Sequence, residues 1–270
     1  MSHSPFFHLR ERLAVEPRDR VQCSGPVPRG AMSFGVKAID LSLGGGLSRA
    51  ALHEFYAKAE SDAIATTGIA LGLAAMMPGK APILWVRQDY LNGETGHPYP
   101  AGLAMFGIDP GRFFLVKARN GMAALKAGAE AARCSSLAVI VLDIYGERGA
   151  FDLTISRRLF LAAKTSGVTV LVLRSAARPT PSAAETRWQV TARPSLALVA
   201  NTPGNPAFAI TLLRHRNGVG QREWFVEWNR DKQCFETGPE WNTAPLSQPM
   251  VSISPNRASE PAANLLQRAR

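Results

Sequence analysis

The chain has 270 residues, which is enough for one large α/β domain with flanking segments. Hydrophobic residues make up 46% and charged residues 19%, a composition that excludes collagen-like chains, coiled coils and wholesale disorder. The net charge of +10, from 31 Lys and Arg against 21 Asp and Glu, suits a neighbour of nucleic acid or of acidic proteins, with arginine-rich solvated faces as the alternative.

The first twenty residues predict a short amphipathic helix. Phe6, Phe7, Leu9, Leu13 and Val15 are apolar residues of this segment, and charged residues such as Arg10 and Arg12 lie among them. Residues 23–30 contain two prolines and two glycines, so they read as an extended linker. We therefore assign residues 1–30 to an N-terminal helix and linker.

From residue 33 onward, apolar strands alternate with helices. The predicted strands cover residues 52–56, 82–86, 113–116, 137–142 and 168–173. The predicted helices cover residues 63–77, 101–106, 122–133 and 151–164. Strands that are apolar on both faces and alternate with helices predict a parallel sheet that is covered on both sides.

After Arg174 the pattern changes to strands without intervening helices. Residues 187–191, 208–213 and 224–228 are predicted strands, and we expect them to extend the sheet as antiparallel members. Residues 239–270 are rich in Pro, Ser and Asn, which predicts a mobile tail that can end in a short basic helix. The α/β core is therefore expected to cover residues 31–238.

The sequence favours a cytoplasmic protein. Its longest apolar stretch, residues 63–77, is too short to span a bilayer, and no apolar run follows a basic start. Cys23, Cys134 and Cys234 lie far apart without metal-ligand spacing, so we expect free thiols in a reducing compartment. No metal site and no membrane contact are expected.

The junction after the first long strand is where a nucleotide-binding loop would lie. Loops of the GxxxxGK[ST] type wrap phosphates with glycine backbone, and a lysine and a hydroxyl serve the terminal phosphates and magnesium. Here the glycine positions hold Ala57 and Asp62. The lysine position holds Ala63, and the hydroxyl position holds Ile64. Because Glu60 and Asp62 would face a polyanion without the lysine, we expect this loop to be degenerate.

The residues around this junction nevertheless resemble the RecA recombinase core. A short-helix segment at 33–40, a glycine-rich turn at 43–47 and a strand at 52–56 follow each other as they do where RecA delivers its phosphate loop. Within the RecA-like group, the chain resembles the ImuA family over roughly residues 5–237. The segments that carry this resemblance are 44–47, 52–54, 85–89, 182–188 and 214–218, followed by Trp228.

The resemblance implies a RecA-like core of the P-loop-NTPase type, with a mainly parallel sheet flanked by helices and antiparallel strands on the C-terminal side. It places Asp143 at the magnesium-associated acid, as a relic, with a simple loop cap as the alternative. It places Gln88, which cannot act as a base, at the catalytic glutamate. The loop after Leu173 also lacks the polar pair that senses the γ-phosphate. We therefore expect no ATPase activity and no cofactor, and leave open a nucleotide retained as a structural ligand.

The function implied by the resemblance is that of a non-catalytic adaptor in SOS-induced translesion synthesis and mutagenesis. The implied partners are the ImuB-type inactive Y-family polymerase relative, the RecA recombinase and, indirectly, an error-prone replicative-type DNA polymerase. A SulA-like cell-division inhibitor and an atypical RecA-like ATPase are the alternatives. The first of these is shorter and lacks the long β-rich C-terminal part.

Two terminal segments are candidates for partner binding. Phe6, Phe7, Leu9 and Leu13 could dock on a neighbouring RecA protomer, or pack on their own core. Leu265, Leu266, Arg268 and Arg270 could form a peptide that folds on binding, or a frayed end. Arg174, Arg178, Arg187, Arg214 and Arg216 are the candidates for DNA contact. For the first three of these a solvated loop is the favoured interpretation, and for the last two the alternative is protection of a sheet edge.

Overall fold

The computed structural model describes residues 30–146, 151–196, 202–218 and 220–238. The predicted N-terminal helix, most of the linker and the predicted tail at 239–270 lie outside these residues, so their assignments stay predictions.

Within the described residues, eleven strands form two sheets. A small two-stranded sheet pairs β1 (Ala31–Met32) with β2 (Leu47–Ser48). The strands of the large sheet are β3 (Leu52–Ala57), β4 (Ile83–Gln88), β5 (Phe113–Ala118), β6 (Val139–Tyr145), β7 (Thr169–Ser175), β8 (Thr186–Arg193), β9 (Ala207–His215), β10 (Arg222–Asn229) and β11 (Cys234–Thr237). Their spatial order is β11-β10-β9-β8-β3-β7-β6-β4-β5.

Helices connect the strands of the parallel part. They are α1 (Lys37–Ser42), α2 (Ala63–Met76), α3 (Tyr90–Thr95), α4 (Pro100–Met105), α5 (Gly121–Ala131) and α6 (Leu153–Ser166). Asn120 and Asp152 cap α5 and α6 by accepting the third helical N–H, and Gly167 ends α6 with a left-handed φ of 83°. The helices predicted around residues 63–77, 101–106, 122–133 and 151–164 are therefore present with shifted ends.

The large sheet is mixed, and six of its strands run parallel. β5, β4, β6, β7, β3 and β8 pair in parallel, whereas β9, β10 and β11 add antiparallel strands beyond β8. The predicted α/β class with a mainly parallel sheet is confirmed. The prediction for residues 187–191 is wrong in direction, because β8 runs parallel to β3. The chain returns from β7 through residues 176–185 without a helix, a connection that the strand pattern could not reveal.

Each face of the sheet has its own hydrophobic core. On one face, here called the α2 face, Phe55, Trp85 and Leu171 pack with α2. Gly68 and Gly72 allow this helix to approach closely, because a Cβ on Gly68 would lie 2.9 Å from the Phe208 ring and one on Gly72 would overlap the ring of Phe235. On the opposite face, here called the α6 face, α5 and α6 cover the parallel strands.

The cysteines differ from the sequence expectation. Cys134 is a free, exposed thiol, but Cys234 at the start of β11 is buried and disulfide-bonded. The expectation of free thiols is therefore wrong for Cys234. Among the described residues, no helix is long and apolar enough to cross a membrane.

Candidate functional site

The loop after β3 holds an internal carboxylate where a phosphate loop would hold its ligand. Residues 58–59 lead into a short 3-10 helix, Glu60–Asp62, and α2 begins directly after it. The Asp62 carboxylate is buried and accepts the backbone N–H of Ala59 at 3.0 Å and that of Ala192 at 2.8 Å. Lys58 also donates its backbone N–H to Val190 O at 3.0 Å. These bonds attach the loop to β8, and the loop amide of Ala59 is bonded to a side chain of the same loop.

The other substituted positions offer no replacement for the missing groups. Ala57 is buried in β3, and the Ile64 side chain in the first turn of α2 is 64% exposed. The hydroxyls of Thr66 and Thr67, in the next part of α2, donate to the carbonyls of Asp62 and Ala63 one turn earlier. The hydroxyls of this helix turn are therefore engaged with their own backbone.

The acid at the end of β6 forms a buried ion pair. Asp143 and Arg87 are register partners on neighbouring parallel strands, and Arg87 Nε lies 3.2 Å from Asp143 Oδ2. Arg87 also donates to the carbonyls of Gly96 at 2.7 Å and Leu91 at 3.2 Å. Burial raises the pKa of Asp143 to about 6, against the opposing field of Arg87. An arginine thus occupies the side of this acid that a cation would need.

Gln88 and Asp89, at and after the end of β4, connect the ends of neighbouring strands. Gln88 Oε1 accepts the backbone N–H of Tyr145 at 3.3 Å, which links β4 to β6. The Tyr145 hydroxyl in turn donates to Glu60 Oε1 at 3.1 Å. Asp89 is exposed, and its N–H donates to Ala118 O at the end of β5. The carboxyl ends of β4 and β6 are thereby bonded to each other and to the loop before α2.

A second buried ion pair, which the sequence did not reveal, lies on the α6 face. Glu54 and Arg187 are register partners on β3 and β8, with Arg187 Nε 3.0 Å from Glu54 Oε2. The Tyr56 hydroxyl donates to the same carboxylate at 3.1 Å, and burial beside Glu54 raises the pKa of Tyr56 to about 12. Arg187 Nη2 also donates to Ser182 Oγ at 2.8 Å. A charge inside an apolar strand indicates a partner, but not which one.

His53 is part of a buried network that joins β2, β3 and β8. A carbonyl only accepts, so His53 Nε2 donates to Ser48 O at 2.8 Å, and Nδ1 accepts from Thr186 Oγ1 at 2.7 Å. Trp188 Nε1 donates to the same hydroxyl at 2.7 Å. Burial lowers the pKa of His53 to about 4, because the cation would lose its hydration. This neutral histidine has a structural role.

Of the five arginines that the sequence suggested for DNA contact, two are buried and three are exposed. Arg187 is held in the ion pair with Glu54, and Arg174 is 4% exposed, with its guanidinium 5.0 Å from the centre of the Phe151 ring. Both are thus removed from the surface that DNA could reach. Arg178, Arg214 and Arg216 are exposed.

A cavity of about 170 Å³ lies between α2 and α4, beside the degenerate loop. Leu71, Leu103 and Phe106 contribute apolar walls, and Arg87 reaches it from the sheet. The lining also includes Thr67, His97 and Tyr99. The Arg87 charge that reaches this cavity is already paired with Asp143.

The remaining candidates lie outside the described residues. They are Phe6, Phe7, Leu9, Leu13, Leu265, Leu266, Arg268 and Arg270. Among the residues that the structure describes, no group of three or more His, Cys, Asp and Glu side chains could hold a metal ion. No protein-family model matches the chain, and no curated protein matches it.

Proposed function

We propose that this chain is a non-catalytic RecA-like adaptor of the ImuA type, which acts in SOS-induced translesion synthesis and mutagenesis. The observation that carries the non-catalytic part is the Asp62 carboxylate, which accepts the N–H groups of Ala59 and Ala192 at 3.0 and 2.8 Å. A phosphate at the same amides would have to displace a buried anion or lie beside it, and like charges repel strongly where water is scarce.

The strand arrangement supports the RecA-like part of the proposal. The parallel strands with helices on both faces, and the antiparallel strands beyond β8 on the C-terminal side, match what the resemblance to RecA implies. The two positions that the resemblance assigns to hydrolysis carry Asp143, paired with Arg87, and Gln88, bonded to the backbone of Tyr145. Both side chains connect the carboxyl ends of β4 and β6 to each other or to neighbouring segments, which suits a scaffold for partners.

The proposed partners follow from the resemblance. The chain would bind the inactive Y-family polymerase relative of the ImuB type and modulate RecA, so that the error-prone replicative-type polymerase reaches damaged template. The net charge of +10 is compatible with such an assembly on DNA. Exposed Arg178, Arg214 and Arg216 are the described residues that remain for a direct contact with DNA.

A genetic experiment tests the role. Ultraviolet-induced mutation frequency is measured in the native host with this gene deleted, and again after complementation with the unaltered gene. We expect induced mutation to fall to the spontaneous level and to return on complementation. Unchanged induced mutation would contradict the adaptor role, and filamentous cells on overexpression would point to a division inhibitor instead.

A binding experiment tests the absence of ATPase activity. Magnesium-ATP is titrated into the purified full chain by calorimetry, and phosphate release is followed in parallel. We expect neither saturable binding nor release above background. A variant with Asp62→Gly and Ala63→Lys introduces the glycine and lysine of the GxxxxGK[ST] pattern and serves as the comparison. Saturable magnesium-dependent binding together with phosphate release by the unaltered chain would identify an atypical ATPase.

A further inference from the structure

The outward face of α6 combines cations with exposed leucines. Leu153, Arg157, Leu161 and Lys164 follow each other at spacings of three and four residues, so they lie on one side of the helix. Leu153 is 56% exposed and Leu161 is 52% exposed, and Arg158 lies exposed on the same side. We call these five residues the α6 basic face.

The charged residues of this face are all positive. Its exposed positions on α6 hold two leucines and three cations, and threonines 154 and 165 complete it without an acid. The opposite side of the helix packs on the sheet through Leu159 and Ala163. A surface helix normally carries charges of both signs on its solvent side, and leucines exposed to water do not obtain the favourable free energy of burial. The α6 basic face therefore has the composition of an interface.

A neighbouring strand end extends the positive charge. The Arg216 guanidinium, after β9, lies 4.9 Å from the centre of the Phe160 ring, and Phe160 is one position from Leu161. Its charge is only partly balanced by Glu185, with Arg216 Nη1 4.0 Å from the carboxylate and half of the Arg216 side chain exposed. The apolar stripe thus has cations along it and beside it.

We infer that the α6 basic face binds an acidic amphipathic helix of a partner protein. Carboxylates of the partner would meet Arg157, Arg158 and Lys164, and its apolar side would cover the two leucines. The fourteen residues of α6 span about 21 Å, which is enough for a partner helix of about four turns. This inference goes beyond the proposed function and does not depend on it.

Charge and hydrophobicity select this occupant over two others. A second copy presenting the same face would bring three cations against three cations, which disfavours a symmetric pair. Nucleic acid would satisfy the cations through its phosphates, but a phosphate backbone gives no apolar cover to Leu153 and Leu161. A helix with carboxylates on either side of leucines satisfies both.

The test uses a fluorescein-labelled helical peptide with leucines at i, i+4 and i+7 and glutamates beside them. Its anisotropy is titrated with the full chain and with three variants. The first carries Arg157→Glu, Arg158→Glu and Lys164→Glu, and the second carries Leu153→Ser and Leu161→Ser. The third reverses three exposed cations on other elements by Lys37→Glu, Lys80→Glu and Arg119→Glu, and it is the matched control because the net charge is equal.

The inference predicts that the first variant binds the peptide about tenfold more weakly or worse, since three surface ion pairs of modest strength are lost. The serine variant should also lose most binding, and the matched control should bind within about twofold of the unaltered chain. A lysine version of the peptide should bind the first variant better than the unaltered chain, which shows that the reversed face is still folded.

Three results would overturn the inference. One is the absence of any saturable peptide binding, checked by amide chemical shifts at millimolar peptide. Another is equal weakening by the first variant and the matched control, which would indicate attraction by overall charge. The third is unimpaired binding by the serine variant together with tight binding of single-stranded DNA to the same cations, which would identify the face as a phosphate contact.

Discussion

The two buried ion pairs of the large sheet occupy equivalent positions in their strand pairs and have different surroundings. Each joins register partners on adjacent parallel strands, Glu54 with Arg187 on the α6 face and Arg87 with Asp143 on the α2 face. The first carboxylate also accepts the Tyr56 hydroxyl, and its arginine donates to Ser182. The arginine of the second donates to the carbonyls of Leu91 in α3 and of Gly96 directly after it, near the carboxyl ends of the strands.

The two pairs connect different parts of the fold. The Glu54 pair joins β3 to β8, where the helix-covered strands meet the antiparallel part of the sheet. The Asp143 pair lies where the resemblance to RecA places a magnesium-associated acid, and there it ties β4 and β6 to the loop around Gly96. One pair therefore connects two parts of the sheet, and the other lies toward the carboxyl ends of the strands, where α/β sheets usually bind ligands.

The largest effect is expected from breaking the Glu54 pair. Arg187→Leu leaves a carboxylate buried without its cation, which should lower the free energy of unfolding by about 3–5 kcal/mol. Adding Glu54→Leu removes the orphaned charge and should restore most of that loss. Urea unfolding of both variants checks this, with exposed Arg214→Leu as the control. Equal stability of the single and double variants would contradict a charge penalty.

The next largest effect is a dependence of folding stability on pH, which arises from Asp143. The pKa of Asp143, about 6, lies above the ordinary 3.8. The stability that the buried, protonated Asp143 contributes is therefore fully present below about pH 4 and is lost as the pH rises through 6. His53 has the opposite sign, because its pKa is lowered from 6.5 to about 4 and its contribution is lost as pH falls.

Asp143→Asn removes only the first of these two contributions. The stability of the variant relative to the unaltered chain should therefore rise by about 3 kcal/mol between pH 4 and 7, at about 1.4 kcal/mol per pKa unit. Urea unfolding at a series of pH values measures this slope. A pH-independent difference between the two proteins would show that burial of Asp143 does not favour its proton.

A smaller effect is expected for Asp62, a buried acid held by backbone amides. Asp62→Ala leaves the N–H groups of Ala59 and Ala192 without their acceptor, which should cost about 2 kcal/mol. Asp62→Asn keeps one acceptor oxygen and should lose less. Thermal unfolding of the two variants distinguishes them, and identical melting temperatures would contradict the role of the carboxylate in closing the loop.

The smallest effect is expected at Arg216, beside the α6 basic face. Because half of its side chain is exposed and its ion pair with Glu185 is long, Arg216→Ala should change stability by about 0.5 kcal/mol or less. Urea unfolding tests this in parallel with Arg187→Leu. A loss comparable to that of Arg187→Leu would mean that exposed and buried arginines of this sheet cannot be separated by their surroundings.

Local patterns were enough for most elements. The apolar run at residues 137–142 became β6, and the alanine-rich segment at 122–133 became α5, because periodicity and capping are read within one turn or one strand. Short elements were missed, among them β11 and α3, because four to six residues carry little periodic signal. The degenerate loop stays a prediction, which depends on the residue types that follow one strand.

Local residue patterns establish the α/β class, the alternation that produces a parallel sheet and the departure of residues 57–64 from the GxxxxGK[ST] pattern. The three-dimensional fold establishes that β8 is parallel, that Arg187 pairs with Glu54 and Arg87 with Asp143, and that Asp62 bonds to Ala192, 130 residues away. The reason is physical. Strand and helix patterns depend on neighbours along the chain, whereas the partner of a buried charge depends on which strands the fold places side by side.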